Sequence, residues 1–430
     1  MAYSCFLAKK GVILEVLLKH KGRGRILLEL VKIFLILAFI MALLIWRKPL
    51  GPVMIGASFL TAVLFWLPPL AFFRAAGLSL IDRTTIELVL TLVFIMMMEN
   101  IMSKKGYMER MLTGMSGLFG SSRVILASIP AIIGLLPSAG GALFSAPLVE
   151  KASFDTGLSA EDKAIINNYY RHVVEIFFPT YPTVLLSIQI SGVPISTFVL
   201  FMLPFSLIAT GLGLVFLRKV DKKPAEKQKI KIPGQRKAML MMLLASLWPF
   251  LAMLLLILGF KLPVHIAAAG VMLAVFLAAR LPKEEIIPTL KKAFDWKIVL
   301  MVFSVMIFKD VLNASGAIDN LPQVLAALPI PPYLIFVFLC FLIGILTGMM
   351  MPAVAIGLPL AMAAIPGSRL PLVMLIFMSS YFGSMVTPMH LCITITANYY
   401  KANIATVLLR SLPVYAIIFL VSWLAYLIFA

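Results

Sequence analysis

Apolar residues fill runs of about 20 positions along almost the whole chain, the length that crosses the hydrocarbon core of a bilayer as a helix. The runs lie at 26–46, 51–73, 84–103, 122–150, 164–190 and 194–217. A hydrophilic linker follows over 218–237, and the pattern resumes at 238–260, 262–280, 296–312, 331–365, 368–396 and 403–429. Two of these stretches are interrupted by small and helix-breaking residues, at Leu135-Leu136-Pro137-Ser138-Ala139-Gly140-Gly141 and at Leu346-Thr347-Gly348-Met349-Met350-Met351-Pro352. In lipid every backbone N–H and C=O needs a partner, so non-helical backbone survives only where protein buries it or it lines a cavity. Both patches therefore read as tips of re-entrant hairpins, over 122–150 and 331–365.

The stretch after each hairpin is also broken. Phe178-Pro179-Thr180-Tyr181-Pro182-Thr183 lies within 164–190, and Val386-Thr387-Pro388-Met389-His390 within 368–396. Proline removes a helix hydrogen bond and clashes with the preceding turn, so Pro179, Pro182 and Pro388 predict kinked or unwound helices, with Thr hydroxyls near the freed backbone groups. An ordinary proline kink is the alternative for either span alone.

The halves resemble each other. Glu99-Asn100-Ile101-Met102-Ser103-Lys104-Lys105-Gly106 aligns with Lys309-Asp310-Val311-Leu312-Asn313-Ala314-Ser315-Gly316 at an offset of 210, which Gly134 and Gly344 keep, while Pro179 and Pro388 are 209 apart. Order and offset together indicate an internal duplication, with 26–217 as the first repeat and 238–430 as the second. If each hairpin returns to the side it entered, each half crosses five times and the halves are inverted. The predicted fold class is all-α: a polytopic membrane protein of about ten transmembrane helices in two inverted-topology repeats.

Composition agrees. The chain is 62% hydrophobic and 13% charged, with a mean hydropathy of +1.05, more apolar surface than a soluble fold of this length could hide. The net charge of +19 concentrates between spans, as topology-setting residues do, and no aromatic-interleaved basic region points to nucleic acid. Placing the 218–237 linker in the cytoplasm puts the larger share of loop Lys and Arg inside, following the positive-inside rule, in a cytoplasmic (inner) membrane. That choice leaves a basic segment, 1–25, outside; it reads as an interfacial amphipathic helix. Cys5, Cys340 and Cys392 show no metal-ligand spacing or disulfide framework and are expected to pack as small hydrophobes, with no metal or other cofactor.

Secondary transporters hold substrates and coupling ions near the midplane, where broken helices meet. Intramembrane charge adds to that picture. Glu175, one turn before Pro179, shares a helix face with His172 three residues earlier, and the two could bind or relay a proton, or pack neutral against other spans; Asp310 is a further candidate for ion coupling. Asn167, Asn168, Tyr169, Tyr170 and Arg171 form a polar entry to the broken span, with Arg171 read either as an anion-path residue or as a positive-inside anchor. No His-Glu-x-x-His, Gly-x-Ser-x-Gly or Walker motif is present, so neither an enzyme nor an ATP-driven pump is expected.

Over about 26–429 the architecture resembles the ion transporter superfamily of secondary carriers, which includes gluconate permeases, dicarboxylate carriers and arsenite or sodium/proton transporters. The Leu135–Gly141 stretch and the ten-span layout look more closely like an integral-membrane family of archaea and thermophilic bacteria assigned to that superfamily. The resemblance implies elevator-type alternating access by a homodimer. It also implies binding of a small solute by Ser138, Gly140 and Gly141 at the first tip, Thr347 and Gly348 at the second, Thr180 and Thr183 at the first break, and Thr387 and His390 at the second. Each Thr could instead bond back to its own helix. The Ser-Asn-Thr hairpin motif of dicarboxylate carriers is absent; Ser138-Ala139-Gly140 and Thr347-Gly348 occupy its places. The expected function is symport of an anionic, organic-acid-type solute with Na⁺ or H⁺; the alternative is a cation/proton antiporter using Glu175 and His172.

Overall fold

The computed structural model describes residues 28–29, 31–118, 121–135, 141–154, 156–220, 235–319, 321–326, 329–365, 367 and 369–430. The expected amphipathic segment 1–25, positions 136–140 of the first tip, with Ser138 and Gly140, and linker residues 221–234 lie outside them.

All regular structure among the described residues is helical. The first half contains α1 (Val31–Ile45), α2 (Leu50–Leu64), α3 (Pro69–Ile81), α4 (Arg83–Lys104), α5 (Tyr107–Leu118), α6 (Ser122–Ile133), α7 (Gly141–Ala152), α8 (Ala160–His172), α9 (Pro182–Ser191) and α10 (Ile195–Leu212). The second contains α11 (Gln235–Leu254), α12 (Val264–Ala279), α13 (Lys283–Ala293), α14 (Trp296–Ala314), α15 (Leu321–Ala326), α16 (Pro332–Thr347), α17 (Met350–Ala364), α18 (Arg369–Met385), α19 (Leu391–Tyr400) and α20 (Ile404–Phe429). Helical turns carry α10 on to Leu217 and α11 on to Gly259, so the segments Arg83–Lys104, Ile195–Leu217, Arg236–Gly259 and Ile404–Phe429 are each long and apolar enough to cross a membrane. Phe34, Phe59, Leu70, Phe338 and Leu424 all face outward. Such an apolar exterior suits lipid and not water, so the protein is membrane-embedded.

Local chemistry explains where helices start and stop. Asp82 caps α4 by accepting from Thr85 N at 3.0 Å. Ser159 and Asp162 form a reciprocal capping box at the start of α8, and Asp162 also pairs with Arg410 of α20 at 3.0 Å. Proline occupies the first turn of α3, α9 and α16, where its missing N–H costs nothing. One span differs from expectation. The run 51–73 is not a single helix but ends as α2 and restarts as α3, because Trp66 takes a positive φ of 56° and Leu67-Pro68-Pro69 cannot continue a helix.

Two packing groups follow. In the first, α14 lies against α2 and α3, α4 against α12 and α13, and α5 against α11. In the second, α6 packs on α8 and α16 on α18, while the arms that leave the tips cross over: α7 packs on α19 and α17 on α9. Close approach of α16 and α18 depends on small residues, since a Cβ on Gly383 would overlap the carbonyl of Phe341. α17 and α18 are buried almost all round. So is the second half of α8, although its residues there include Asn167, Asn168, Arg171 and His172.

Candidate functional site

The stretches 164–190 and 368–396 each hold two helices with an irregular segment between them, 173–181 and 386–390. At 13 and 10 residues, α8 and α9 are about 20 and 15 Å long, too short to cross alone but sufficient together. Between them, Phe178 N still bonds Val174 O at 3.0 Å, and Ser206 of α10 donates to Val173 O at 2.6 Å. Pro179 lies in the irregular segment and Pro182 opens α9. The Tyr181 hydroxyl donates to Gly134 O at the end of α6, tying the break to the first hairpin.

The second break repeats the arrangement. α16 ends on Gly348 at φ +66°, so the tip is a two-residue turn, Gly348-Met349, before α17. Thr387 donates to Ile345 O at 2.8 Å and accepts from Met389 N at 3.2 Å, clipping the break around Pro388 to the tip. Thr347 donates to Ile343 O at 2.7 Å and accepts from Met349 N at 3.2 Å. The hydroxyls of Thr347 and Thr387, expected to bind solute, are thus engaged by backbone. Thr387→Val should lower stability by about 1 kcal/mol, the net value of one hydrogen bond, read as a lower melting temperature of the solubilised protein.

Where the breaks cross, charged and polar side chains meet. His390 precedes α19 and His172 ends α8; their Nε2 atoms are 3.1 Å apart, with ring centroids at 4.7 Å and planes at 71°. His172 Nδ1 is 2.7 Å from Asn168 O, and His390 Nδ1 is 2.8 Å from Gly348 O. A Glu175 carboxylate oxygen lies 3.9 Å from His172 Nε2, and Cys392 packs beside His172 and Arg171. Arg171 is 3% exposed. Its guanidinium donates to Ile133 O at 3.3 Å, fills the space over Gly141 at the start of α7, and interacts electrostatically with Glu175 and with Glu99 of α4. Glu99 Oε1, Thr180 Oγ1 and Tyr381 OH are buried without a hydrogen-bond partner, unusual among buried polar atoms.

His172, Glu175 and His390 therefore come together, with Arg171 placed at the centre and not as a surface anchor. Thr180 and Thr183 are buried along the first break. Asp310 does not join them: it accepts from Ser79 of α3 at 2.6 Å and lies 3.4 Å from Lys309. Sequence reasoning notices Glu99 as a charge in or near a span but gives it no role, and it reads Cys392 as a small hydrophobe, because the chain-distant partners Arg171 and His172 leave no mark in either local sequence. A cavity of about 560 Å³ opens between α4, the end of α9 and the start of α12, lined by Glu87, Gln189, Lys261 and His265 among others.

Comparison with known proteins adds the family. No curated protein matches the chain. Residues 27–429 match a family model described as a protein of unknown function, DUF401. With nearly its whole length covered, the chain belongs to the DUF401 family.

Proposed function

We propose that the protein is a secondary active transporter of a small anionic solute of the organic-acid type, coupled to Na⁺ or H⁺. The observation that carries this reading is the convergence of Arg171, His172, Glu175 and His390 where two interrupted helices cross inside an apolar bundle. Ionisable groups in such places are costly and mark solute or ion pathways, and broken helices supply the half-helix ends that bind them. Arg171 over the start of α7 provides the positive charge an anion needs.

The same reading takes the chain as about ten spans in two inverted repeats. Helices starting at 141, 160, 182 and 195 are followed 209 residues later by helices starting at 350, 369, 391 and 404. The hairpins, broken helices and α10 and α20 would move as a transport unit against α1–α5 and α11–α15 in a homodimer of the cytoplasmic membrane. The 560 Å³ cavity along α4 and α9 serves as the solute's vestibule.

Uptake of a panel of labelled organic acids into proteoliposomes, under imposed Na⁺ or H⁺ gradients, tests the proposal. Accumulation of an acid with one gradient is the expected result. Proton movement driven by a cation gradient without uptake of any acid would replace it with the antiporter reading. Glu175→Gln should lower the initial uptake rate at least tenfold, about 1.4 kcal/mol, because it removes a negative charge that balances Arg171; unchanged kinetics would take Glu175 out of the site.

A further inference from the structure

We propose that His172, His390 and Cys392 bind a divalent transition-metal ion of borderline softness, such as Zn²⁺ or Co²⁺, at the crossing of the two broken helices. The inference concerns metal binding and stands whether or not the protein carries an organic acid.

Hydrogen-bond bookkeeping fixes the ring nitrogens. A carbonyl oxygen can only accept, so the contacts of His172 Nδ1 with Asn168 O and of His390 Nδ1 with Gly348 O make each Nδ1 the protonated nitrogen. In both neutral rings Nε2 then carries a bare lone pair. These lone pairs face each other at 3.1 Å, an arrangement that is repulsive unless a cation lies between them. Two bonds of about 2.05 Å to a shared zinc ion, spanning that separation, would subtend roughly 98°, near the tetrahedral angle. The backbone carbonyls on the far side of each ring are the outer partners that hold metal-binding imidazoles in their tautomer.

Cys392 supplies the third ligand. Its Sγ and the two imidazole nitrogens all lie within 4.8 Å of one another, and all three residues are buried. The thiol sits in the first turn of α19, where the helix dipole favours a thiolate. Two imidazoles and one thiolate suit zinc, cobalt or copper; Na⁺, Mg²⁺ and Ca²⁺ call for oxygen ligands. Three protein ligands leave a fourth position for water or a solute, and Glu175 stands beside it as a countercharge. Since His172 comes from one half and His390 and Cys392 from the other, 218 residues on for the histidine pair, the bound ion would pin the two breaks together.

The test uses the full chain, purified in detergent, stripped with a chelator and titrated with Co²⁺ and Zn²⁺. One ion per chain is expected, with the visible spectrum of tetrahedral cobalt and a thiolate-to-cobalt charge-transfer band. Cys392→Ser should remove that band and weaken binding at least tenfold, His390→Gln should weaken binding similarly, and Cys340→Ser should change neither. A measurement that keeps every ligand guards against misfolded variants. In a Cys5→Ser/Cys340→Ser background, Zn²⁺ should slow maleimide labelling of Cys392 at least tenfold while Mg²⁺ does not. Failure of the parent chain to bind one ion, persistence of the band in Cys392→Ser, or equal labelling with and without Zn²⁺ would each overturn the site. An imidazole pair sharing only a proton would give the first of these results.

Discussion

Replacing Arg171 by glutamine is expected to destabilise the protein by about 3–5 kcal/mol, the cost of leaving a buried charge without its partner, and to abolish uptake. Arg171 as a whole is 3% exposed. It interacts electrostatically with Glu99 and Glu175, and Glu99 Oε1 has no hydrogen-bond partner to offset the loss. It also bridges structure, donating to Ile133 O at the end of α6 and covering Gly141 at the start of α7. Thermal unfolding of the solubilised protein reads the stability, and the double variant Arg171→Gln/Glu99→Gln separates charge from packing. If the charge imbalance dominates, the double variant recovers part of the melting temperature and none of the uptake. Wild-type melting and uptake in the single variant would show that Arg171 neither balances these carboxylates nor faces the solute.

Gly348→Val is the second large effect. At φ +66° a β-branched residue is strained by about 1–3 kcal/mol, and here sterics add to strain: a Cβ at this position would overlap the carbonyl of Met389 and the amide of His390. The backbone cannot yield locally, because Thr387 clips the same turn to Ile345 O. The second tip and the second break would be forced apart, and the contact of His390 Nδ1 with Gly348 O at 2.8 Å would be lost. A loss of at least 3 kcal/mol is expected, adding that strain to the overpacking cost, with less folded protein in the membrane and no uptake. Gly157 is the control. It has a φ of +67°, but nothing lies within 4 Å of the place its Cβ would take, so Gly157→Val should show the strain alone. Equal losses at the two sites would remove the close approach at Gly348 from the explanation.

Much of the fold was legible because it depends on local backbone chemistry. Within 331–365 the chain forms α16 and α17, Pro332–Ala364, and turns at Gly348, where the Thr-Gly pair interrupts the apolar run. Pro179 and Pro388 lie in the irregular segments between paired half-helices, since proline acts within one turn of itself. The same locality explains the division of 51–73, where the Leu67-Pro68-Pro69 signal was present but lay inside an apolar run of spanning length. The short helices α5, α13 and α15 were not anticipated: α5 and α13 mix charged with apolar positions, and α15 is six residues long.

The candidate site was legible only in part. His172 and Glu175 announced themselves through helical spacing, three residues apart on one face. Their partners did not. Arg171 read first as a positive-inside anchor, and Asp310, a further candidate beside Glu175, pairs instead with Ser79 on the α3–α14 side. Thr347 and Thr387 carry hydroxyls in the expected places, but backbone carbonyls take them.

The sequence by itself determined that this is a helical membrane protein, and it marked the interruptions near Pro179, Gly348 and Pro388. Those properties follow from hydropathy, proline and glycine, whose effects act over a few residues or through bulk transfer into lipid. Tertiary structure alone decided that His172 meets His390 across 218 residues, that Cys392 stands with them, and that buried Arg171 interacts electrostatically with Glu99 and Glu175. Such meetings depend on how one half-helix docks against another, and no local pattern encodes that distance.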